Sequence, residues 1–188
     1  MNFKNLSKRP MLAKDRDDIY AILQDSAVRV PFSLFSEPHF NKNSVTGWCR
    51  VAAEVNRGTE GIDRFYVLQD KGRTIGYFGA GSDPDEKDES CWEVGYFLDR
   101  RYHGQGIVPH VFSGYIEEAR NLSLAKTFCA AVKPDNYPSQ RVLEKVGFEC
   151  KGVFKKWSPI IIHKDGSCEE VTPPRSSPKM KKFELKLF

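Results

Sequence analysis

The chain has 188 residues, of which 40% are hydrophobic and 29% are charged. These proportions are typical of a folded globular protein and exclude an intrinsically disordered chain, and the length predicts a single domain over residues 1–188. The formal net charge of +4 is small, and no motif that reads a nucleic-acid groove accompanies it. We therefore expect no nucleic-acid partner.

The five cysteines are dispersed along the chain and form no Cys-x-x-Cys pair. This spacing predicts neither a disulfide framework nor a metal site, and it favours reduced thiols. The first residues lack an apolar signal segment, and no apolar run approaches the roughly 20 residues that a membrane helix needs. We expect a cytoplasmic protein without a membrane partner, either a monomer or a homodimer.

Two amphipathic helices are predicted near the N-terminus. Asp15 is in position to cap the first helix. Ser44 is in position to cap the second, which ends near Gly58. A loop rich in Pro, Phe and Ser, Pro31–Pro38, separates the two helices. The residues of the second helix that we expect to be buried are Trp48, Val51, Ala52 and Val55.

Three strands are predicted next. Arg64–Gln69 and Thr74–Ala80 form an antiparallel pair joined by a turn at Asp70–Gly72. An acidic segment, Asp83–Glu89, is then expected to be a loop that leads to a long strand, Cys91–Leu98.

The C-terminal half alternates helices and strands. The first helix carries one apolar stripe, formed by Val108, Val111, Phe112, Tyr115, Ile116 and Ala119. The apolar run Lys126–Val132 predicts a strand buried on both faces. Asn136 is in position to cap a second helix that stops at Gly147. Phe148–Trp157 and Lys182–Phe188 are predicted as closing strands around an atypical segment at residues 158–180.

The order of these elements predicts an α/β (α+β) fold with a mixed, mostly antiparallel central sheet of about seven strands and helices on both faces. The strand–helix–strand unit from Glu93 to Val132 is its parallel crossover.

The segment Glu93–His110 is the most informative part of the sequence, because it predicts a strand, a glycine-bearing loop and the start of a helix. The first N–H groups of a helix have no partner within the helix and attract anions. Gly104 and Gly106 permit a tight turn and a close approach. We therefore expect the backbone from His103 to Val108 to bind a phosphate.

Two motifs resemble the GNAT superfamily of acyl-CoA N-acyltransferases. Val94–Gly106 (VGYFLDRRYHGQG) is similar to the family's strand and pyrophosphate loop, and Asn136–Phe148 (NYPSQRVLEKVGF) is similar to its second motif helix. Within the superfamily, the motifs most resemble the ribosomal-protein N-terminal alanine and serine acetyltransferases. The resemblance implies a GNAT-like fold, acetyl-CoA as co-substrate, and direct transfer of acetyl to a protein N-terminal α-amine or to a small-molecule amine.

The resemblance also implies which residues bind the cofactor. The pyrophosphate would lie on the loop residues His103, Gly104, Gln105, Gly106, Ile107 and Val108. The backbone of Phe97 and Leu98, where the strand separates from its neighbour, would pair with the pantetheine arm. Asn136 either contacts this arm or only caps its helix. His103 stands where the family usually has Gln or Arg, and Val108 stands where a small residue is usual.

Acetyl transfer requires a neutral amine, a stabilised oxyanion and a proton for the departing thiolate. Glu93 is the candidate base, although it could equally be a surface or ion-paired carboxylate. Ser139, which the resemblance implies as donor to the thiolate, could instead contact only backbone. Tyr137 and Tyr96 are alternative donors, since Leu143 occupies the position where many family members carry a tyrosine.

The sequence leaves a second function open, a non-catalytic module that binds or senses acyl-CoA. The departures from the family pattern at His103, Val108 and Leu143 keep this alternative open beside the leading acetyltransferase hypothesis. The acceptor is not identified, because the residues that would select it lie in the Pro31–Pro38 loop and in Ser158–Met180. The aromatic residues expected to line the acceptor cleft are Phe32, Phe35 and Phe40.

Overall fold

The computed structural model describes residues 3–32, 40–58, 64–82, 90–155, 160–162, 165, 167–170 and 179–188. Its α-helices are α1 Arg16–Leu23, α2 Ser26–Phe32, α3 Lys42–Gly58, α4 Ile107–Asn121 and α5 Tyr137–Lys145. Its strands are β1 Leu6–Pro10, β2 Phe65–Asp70, β3 Arg73–Ser82, β4 Cys91–Leu98, β5 Thr127–Val132, β6 Glu149–Lys155, β7 Ile160–Ile162, β8 Cys168–Glu170 and β9 Lys179–Lys186. Over these ranges, no helix has the length and apolar character needed to cross a membrane.

Seven strands form one mixed sheet in the order β1-β2-β3-β4-β5-β9-β6. β4 and β5 run parallel and are joined through α4, whereas the pairs β1–β2, β2–β3, β5–β9 and β6–β9 are antiparallel. A parallel pair needs a long crossover connection, which α4 supplies. The predicted α/β class, with a mixed and mostly antiparallel sheet of seven strands, is confirmed.

The chain divides into two compact units. The first comprises Met1–Gly79, Gly95–Gln105 and Ile160–Val171, and the second comprises Ala80–Val94, Gly106–Pro159 and Thr172–Phe188. Strands β3 and β4 contribute residues to both units. The single-domain interpretation of residues 1–188 stays a prediction.

An aromatic cluster fills part of the first unit. The rings of Phe32 and Phe97 meet edge to face with 4.8 Å between centroids, and Trp48 and Tyr77 meet in the same way at 4.8 Å. Such pairs stabilise a core beyond the area that they bury. The predicted burial of Trp48 is confirmed, whereas Val51 on the same helix is 40% exposed and is not a core residue.

The core of the second unit is built on the apolar stripe of α4. The ring centroids of Phe112 and Phe148 lie 5.3 Å apart, and the ring of Tyr115 stacks on that of Phe128 with 5.6 Å between centroids. The predicted stripe is confirmed, with Val111 half-buried at its edge. Helical periodicity therefore identified the buried face of α4 correctly.

The two helix caps predicted near the N-terminus are wrong, because the side chains of Asp15 and Ser44 bind other partners. Asp15 immediately precedes α1, but its carboxylate accepts hydrogen bonds from Arg9 and from the N–H of Leu12 instead of capping the helix. Ser44 lies inside the first turn of α3, where its N–H donates to Oδ1 of Asn41 at 2.9 Å. The N–H of Asn41 donates to Oγ of Ser44 at 3.1 Å, so the pair satisfies two donors reciprocally.

The loop predicted to begin at Pro31 is wrong at its start, because Pro31 and Phe32 are the last two residues of helix α2. Asp25 caps it, because its Oδ1 accepts the N–H of Ala27 at 2.9 Å and its carbonyl accepts that of Val28 at 3.0 Å. A proline near the end of a short helix removes a single hydrogen bond. The remainder of the predicted loop, residues 33–38, lies outside the described part of the chain.

Replacing Asp15 by asparagine should lower the free energy of unfolding by about 1.5–3 kcal/mol. The carboxylate is 4% exposed and accepts two bonds from Arg9, at 2.8 and 2.6 Å, and one from Leu12 at 2.8 Å. An asparagine amide cannot accept all three. Urea unfolding measures the change, with Asp17→Asn as the matched control. Asp17 pairs with Lys42 at 58% exposure, so Asp17→Asn should lower the free energy of unfolding far less than Asp15→Asn does. Equal losses in the two variants would contradict the prediction.

The hairpin and the closing strands were predicted with different success. Lys71 and Gly72 have φ values of +50° and +79°, as a tight turn between β2 and β3 requires, and the predicted hairpin is confirmed. β6 and β9 correspond to the closing strands, but β9 begins at Lys179, three residues before the predicted Lys182. The atypical segment contains β7 and β8, which form a separate antiparallel pair with Ile160 opposite Glu170.

The cysteines of the described residues agree with the expectation of reduced thiols. Cys49, Cys91 and Cys129 are buried and Cys150 is exposed, and all four are free. Burial raises the pKa of the Cys49 thiol to about 12, so this thiol is protonated and unreactive at neutral pH.

Candidate functional site

The ladder between β4 and β5 covers only part of both strands. It pairs Cys91–Glu93 with Thr127–Cys129. β4 then continues to Leu98 and β5 to Val132. Glu93, the predicted base, is therefore the last residue of β4 in this ladder, and its side chain is half-buried.

The backbone of Phe97 and Leu98, predicted to pair with a pantetheine arm, already has neighbours within the first unit. A Cβ added to Gly76 of β3 would lie 2.3 Å from the carbonyl oxygen of Phe97, so this carbonyl faces β3. Because the C=O and N–H of a trans peptide point in opposite directions, the N–H of Leu98 points away from β3. The Leu98 N–H is thus directed to the side of β4 opposite β3.

His103 is placed differently from the expectation that it begins the phosphate loop. Its Nε2 lies 2.9 Å from the carbonyl oxygen of Leu98, and since a carbonyl only accepts, Nε2 carries a proton. Its backbone N–H donates to the carbonyl of Arg100 at 3.1 Å. His103 therefore fastens the loop to the end of β4, and its own amide is not available to an anion.

Side-chain hydrogen bonds stabilise the segment between the end of β4 and Gly106. Asp99 accepts the backbone N–H of Arg101 at 3.0 Å, and the guanidinium of Arg101 is paired with the same carboxylate. These hydrogen bonds lower the pKa of Asp99 below its ordinary value. Nε2 of Gln105 donates to the carbonyl of Arg101 at 2.8 Å. The side chain of Gln105 thus stabilises the loop itself, and its backbone N–H has no protein partner within the described residues.

The glycines adopt the conformation that the predicted loop requires. Gly104 and Gly106 have φ values of +72° and +77°, in the left-handed region that favours glycine. Gly106 immediately precedes α4. Within the described residues, the N–H groups of Gly104, Gln105, Gly106, Ile107 and Val108 make no hydrogen bond to the protein. Successive unpaired donors at the start of a 15-residue helix are the kind of backbone that can bind an anion.

The departure at Val108 does not disturb this backbone. Val108 is 7% exposed and Ile107 is 1% exposed. Both side chains therefore pack into the protein. The valine at position 108 is thus accommodated in the interior.

Asn136 caps α5, as predicted. Its Oδ1 accepts the N–H of Ser139 at 3.3 Å. Within the described chain, its Nδ2 makes no hydrogen bond and remains available as a donor. Ser139 is half-buried in the first turn of the same helix. The capping contact uses the backbone of Ser139, not its hydroxyl.

The alternative proton donors and the cleft residues occupy different environments. Tyr137 is 62% exposed, Tyr96 is half-buried, and Leu143 is fully buried. Phe40 stacks on Tyr20 with 5.4 Å between centroids. Phe35 lies outside the described residues. The role of these aromatic side chains at an acceptor cleft stays a prediction.

A buried residue that the sequence reasoning missed adjoins Ser139. Gln140 is 6% exposed and makes three side-chain hydrogen bonds. The signal available in the sequence was its position four residues after the cap Asn136, on the buried side of α5. A polar residue at such a position needs partners, but the sequence does not say which.

Comparison with known proteins identifies the family. A family model for the acetyltransferase (GNAT) domain matches residues 6–149. The uncharacterized N-acetyltransferase YnaD of Bacillus subtilis (strain 168) is 25% identical over 164 residues, covering 83% of this chain and 86% of that protein.

Solved structures show the same fold. The microcin C7 self immunity acetyltransferase MccE, crystallised in complex with acetyl-CoA and AMP, superposes with a TM-score of 0.71 at 15% identity, covering 97% of this chain and 93% of that chain. The ribosomal-protein-S5-alanine acetyltransferase of Vibrio fischeri superposes with a TM-score of 0.69 at 20% identity, covering 99% and 95%. The family model spans most of the chain, and the fold agrees with it: the protein belongs to the GNAT acetyltransferase family.

Proposed function

We propose that this protein transfers the acetyl group of acetyl-CoA to a primary amine. The observation that carries the proposal is the run of unpaired N–H groups from Gly104 to Val108 at the start of α4, in a chain of the GNAT family. Backbone donors of this kind suit a diphosphate, because several convergent N–H groups bind its oxygens and no side chain obstructs its approach.

The remaining contacts are assigned along the pantetheine arm. The N–H of Leu98 points away from β3, and the Nδ2 of Asn136 makes no hydrogen bond within the described residues. The pantetheine arm carries two amide carbonyls that can accept from such donors. The Leu98 N–H belongs to the peptide bond between Phe97 and Leu98, so both residues are assigned to the pantetheine contact. The acetyl-CoA bound in the MccE crystal structure supports the choice of co-substrate.

The chemistry requires that the amine lose a proton as its nitrogen forms a bond to the thioester carbon. The carbon–sulfur bond then breaks and the thiolate takes up a proton. Glu93 is the proposed acceptor of the amine proton, directly or through a water molecule. Ser139 is the proposed donor to the thiolate, with Tyr96 and Tyr137 as the alternatives. The N–H of Ser139 is bonded to Oδ1 of Asn136, and the proposed donor is its hydroxyl.

Two classes of acceptor remain, a protein N-terminal α-amine and a small-molecule amine. The similarity of both motifs to the ribosomal-protein N-terminal acetyltransferases favours the α-amine. An α-amine has an ordinary pKa of about 7.7–8.0, so a weaker base suffices for it than for a lysine at about 10.4.

We propose that the protein acts in the cytoplasm.

Release of free CoA from acetyl-CoA tests the proposal. The acceptors are peptides that begin with Ala or Ser, N-terminally blocked peptides that contain one lysine, and small primary amines. We expect release to depend on one class of acceptor. If no class raises the release above the rate without acceptor while calorimetry shows that CoA binds, the non-catalytic acyl-CoA-binding function replaces this proposal. Failure to bind CoA would overturn both.

A further inference from the structure

A polar network lies under the turn that connects β5 to α5. The side chain of Gln140 is its centre: Nε2 donates to the carbonyl of Lys133 at 3.3 Å and to that of Pro134 at 3.0 Å. Its Oε1 accepts from Nζ of Lys181 at 2.8 Å. Three of the four hydrogen-bonding positions of the amide are therefore occupied, and its orientation is fixed because an exchange of Oε1 and Nε2 would face carbonyl with carbonyl.

The same turn determines where Asn136 lies. The N–H of Asn136 donates to the carbonyl of Lys133 at 3.0 Å, and the N–H of Gln140 donates to the carbonyl of Asn136 at 3.2 Å. The Lys133 carbonyl thus accepts both from Asn136 and from the Gln140 side chain. The backbone position of Asn136 is consequently coupled to the Gln140 amide.

Lys181 connects this network to the sheet. It lies on β9 opposite Val132, which is the last residue of β5. Its side chain is half-buried, and the ammonium is directed to the Gln140 oxygen. The turn that follows β5 is therefore held, through Gln140, by the side chain of Lys181 on the neighbouring strand β9.

We propose that Gln140 and Lys181 are positioning residues that hold the β5–α5 turn so that Nδ2 of Asn136 meets the pantetheine arm of acetyl-CoA. Neither side chain touches the reacting atoms. The inference rests on the proposed function, because it assigns a task to residues behind the pantetheine contact of that site. The diphosphate contact depends on a different segment, the Gly104–Val108 backbone, and the two contacts can be measured separately.

The test compares two ligands by isothermal titration calorimetry. One is CoA, and the other is adenosine 3′-phosphate 5′-diphosphate, which keeps the diphosphate and lacks the pantetheine arm. We expect Gln140→Leu to weaken CoA binding about five- to tenfold, the equivalent of one lost hydrogen bond, and to leave binding of the nucleotide unchanged. Equal weakening of both ligands, or no weakening of either, would overturn the proposal.

Two further variants guard against a loss of folding. Lys181→Met removes the ammonium at similar length, and we expect it to weaken CoA selectively in the same way. Lys181→Arg keeps a donor and should restore the affinity for CoA. If Gln140→Leu does not fold, this pair of variants decides the question. If the Lys181→Arg variant binds CoA as weakly as the Lys181→Met variant, the hydrogen bond to Gln140 is not the cause of the weaker binding.

The matched control is Arg141→Leu, an exposed residue that follows Gln140 on α5. It should leave both affinities unchanged, and a selective loss of CoA binding in this variant would contradict the assignment to the Gln140 network. Wild-type protein that binds neither ligand would refute the proposed function itself. Wild-type binding of CoA with no selective effect at positions 140 and 181 would refute only this inference.

Discussion

Gly104→Asp should weaken CoA binding at least about tenfold and, at the acetyl-CoA concentrations that saturate the wild type, abolish most of the acetyl transfer. A Cβ on Gly104 meets open space, so the new carboxylate would stand beside the N–H groups that we assign to the diphosphate. Two like charges about 4 Å apart near a protein surface repel by about 4 kcal/mol. Calorimetric titration with CoA measures the effect directly.

Gly72→Asp is a matched control for this variant. Gly72 has φ +79° against +72° for Gly104, and a Cβ at either glycine has no neighbour within 4 Å. Aspartate tolerates the left-handed region better than most residues, so the two variants should lose similar stability. Only Gly104→Asp should lose affinity for CoA. Wild-type affinity in Gly104→Asp, or an equal loss in Gly72→Asp, would show that the diphosphate binds elsewhere.

Glu93→Gln should lower kcat by about 10²- to 10⁴-fold while the affinity for CoA stays unchanged. The amide has nearly the shape of the carboxylate but cannot accept a proton. The deficit should narrow as the pH rises towards the pKa of the acceptor amine, because the amine then reaches the site already neutral. It should be larger for a lysine-containing acceptor than for an N-terminal α-amine. Steady-state rates across pH with both acceptors check this.

The control for Glu93→Gln is Glu117→Gln, at an exposed position on α4. It removes the same charge from the protein surface and should leave kcat and its pH profile unchanged. A Glu93→Gln variant with wild-type kcat and a wild-type pH profile would show that Glu93 does not accept the amine proton.

Local features of the fold could be predicted because they depend on residues close together in sequence. The hairpin turn at Lys71 and Gly72 follows from the left-handed preference of glycine, and the cap of α5 follows from Asn136 three residues before an N–H that it accepts. The bounds of β4 agree with the predicted Cys91–Leu98. Each of these depends on one short segment of backbone.

The caps of α1 and α3 could not be chosen from the same rules. Asp15 has the residue type of a helix cap, but a better partner, Arg9, comes from the preceding strand. Ser44 has the right residue type as well, but Asn41 lies three residues earlier and completes a reciprocal pair with it. Residue type alone permits several partners, and the folded chain selects one.

The candidate site shows the same division. The glycines of the phosphate loop and their left-handed conformation could be anticipated, whereas the bond from the His103 side chain to Leu98 could not. That bond removes one carbonyl from the set that was expected to meet the pantetheine arm. It also gives a structural reason for a histidine where the family usually has Gln or Arg.

By itself, the sequence determined most of the elements and their order, the parallel crossover, the glycine turn before α4 and the family resemblance, because periodicity and turn preferences operate over a few neighbouring residues. Only the tertiary structure decided the partners of buried polar side chains. The Gln140–Lys181 contact joins residues 41 positions apart. Such contacts arise when packing brings distant side chains together and burial then requires each polar atom to find a partner.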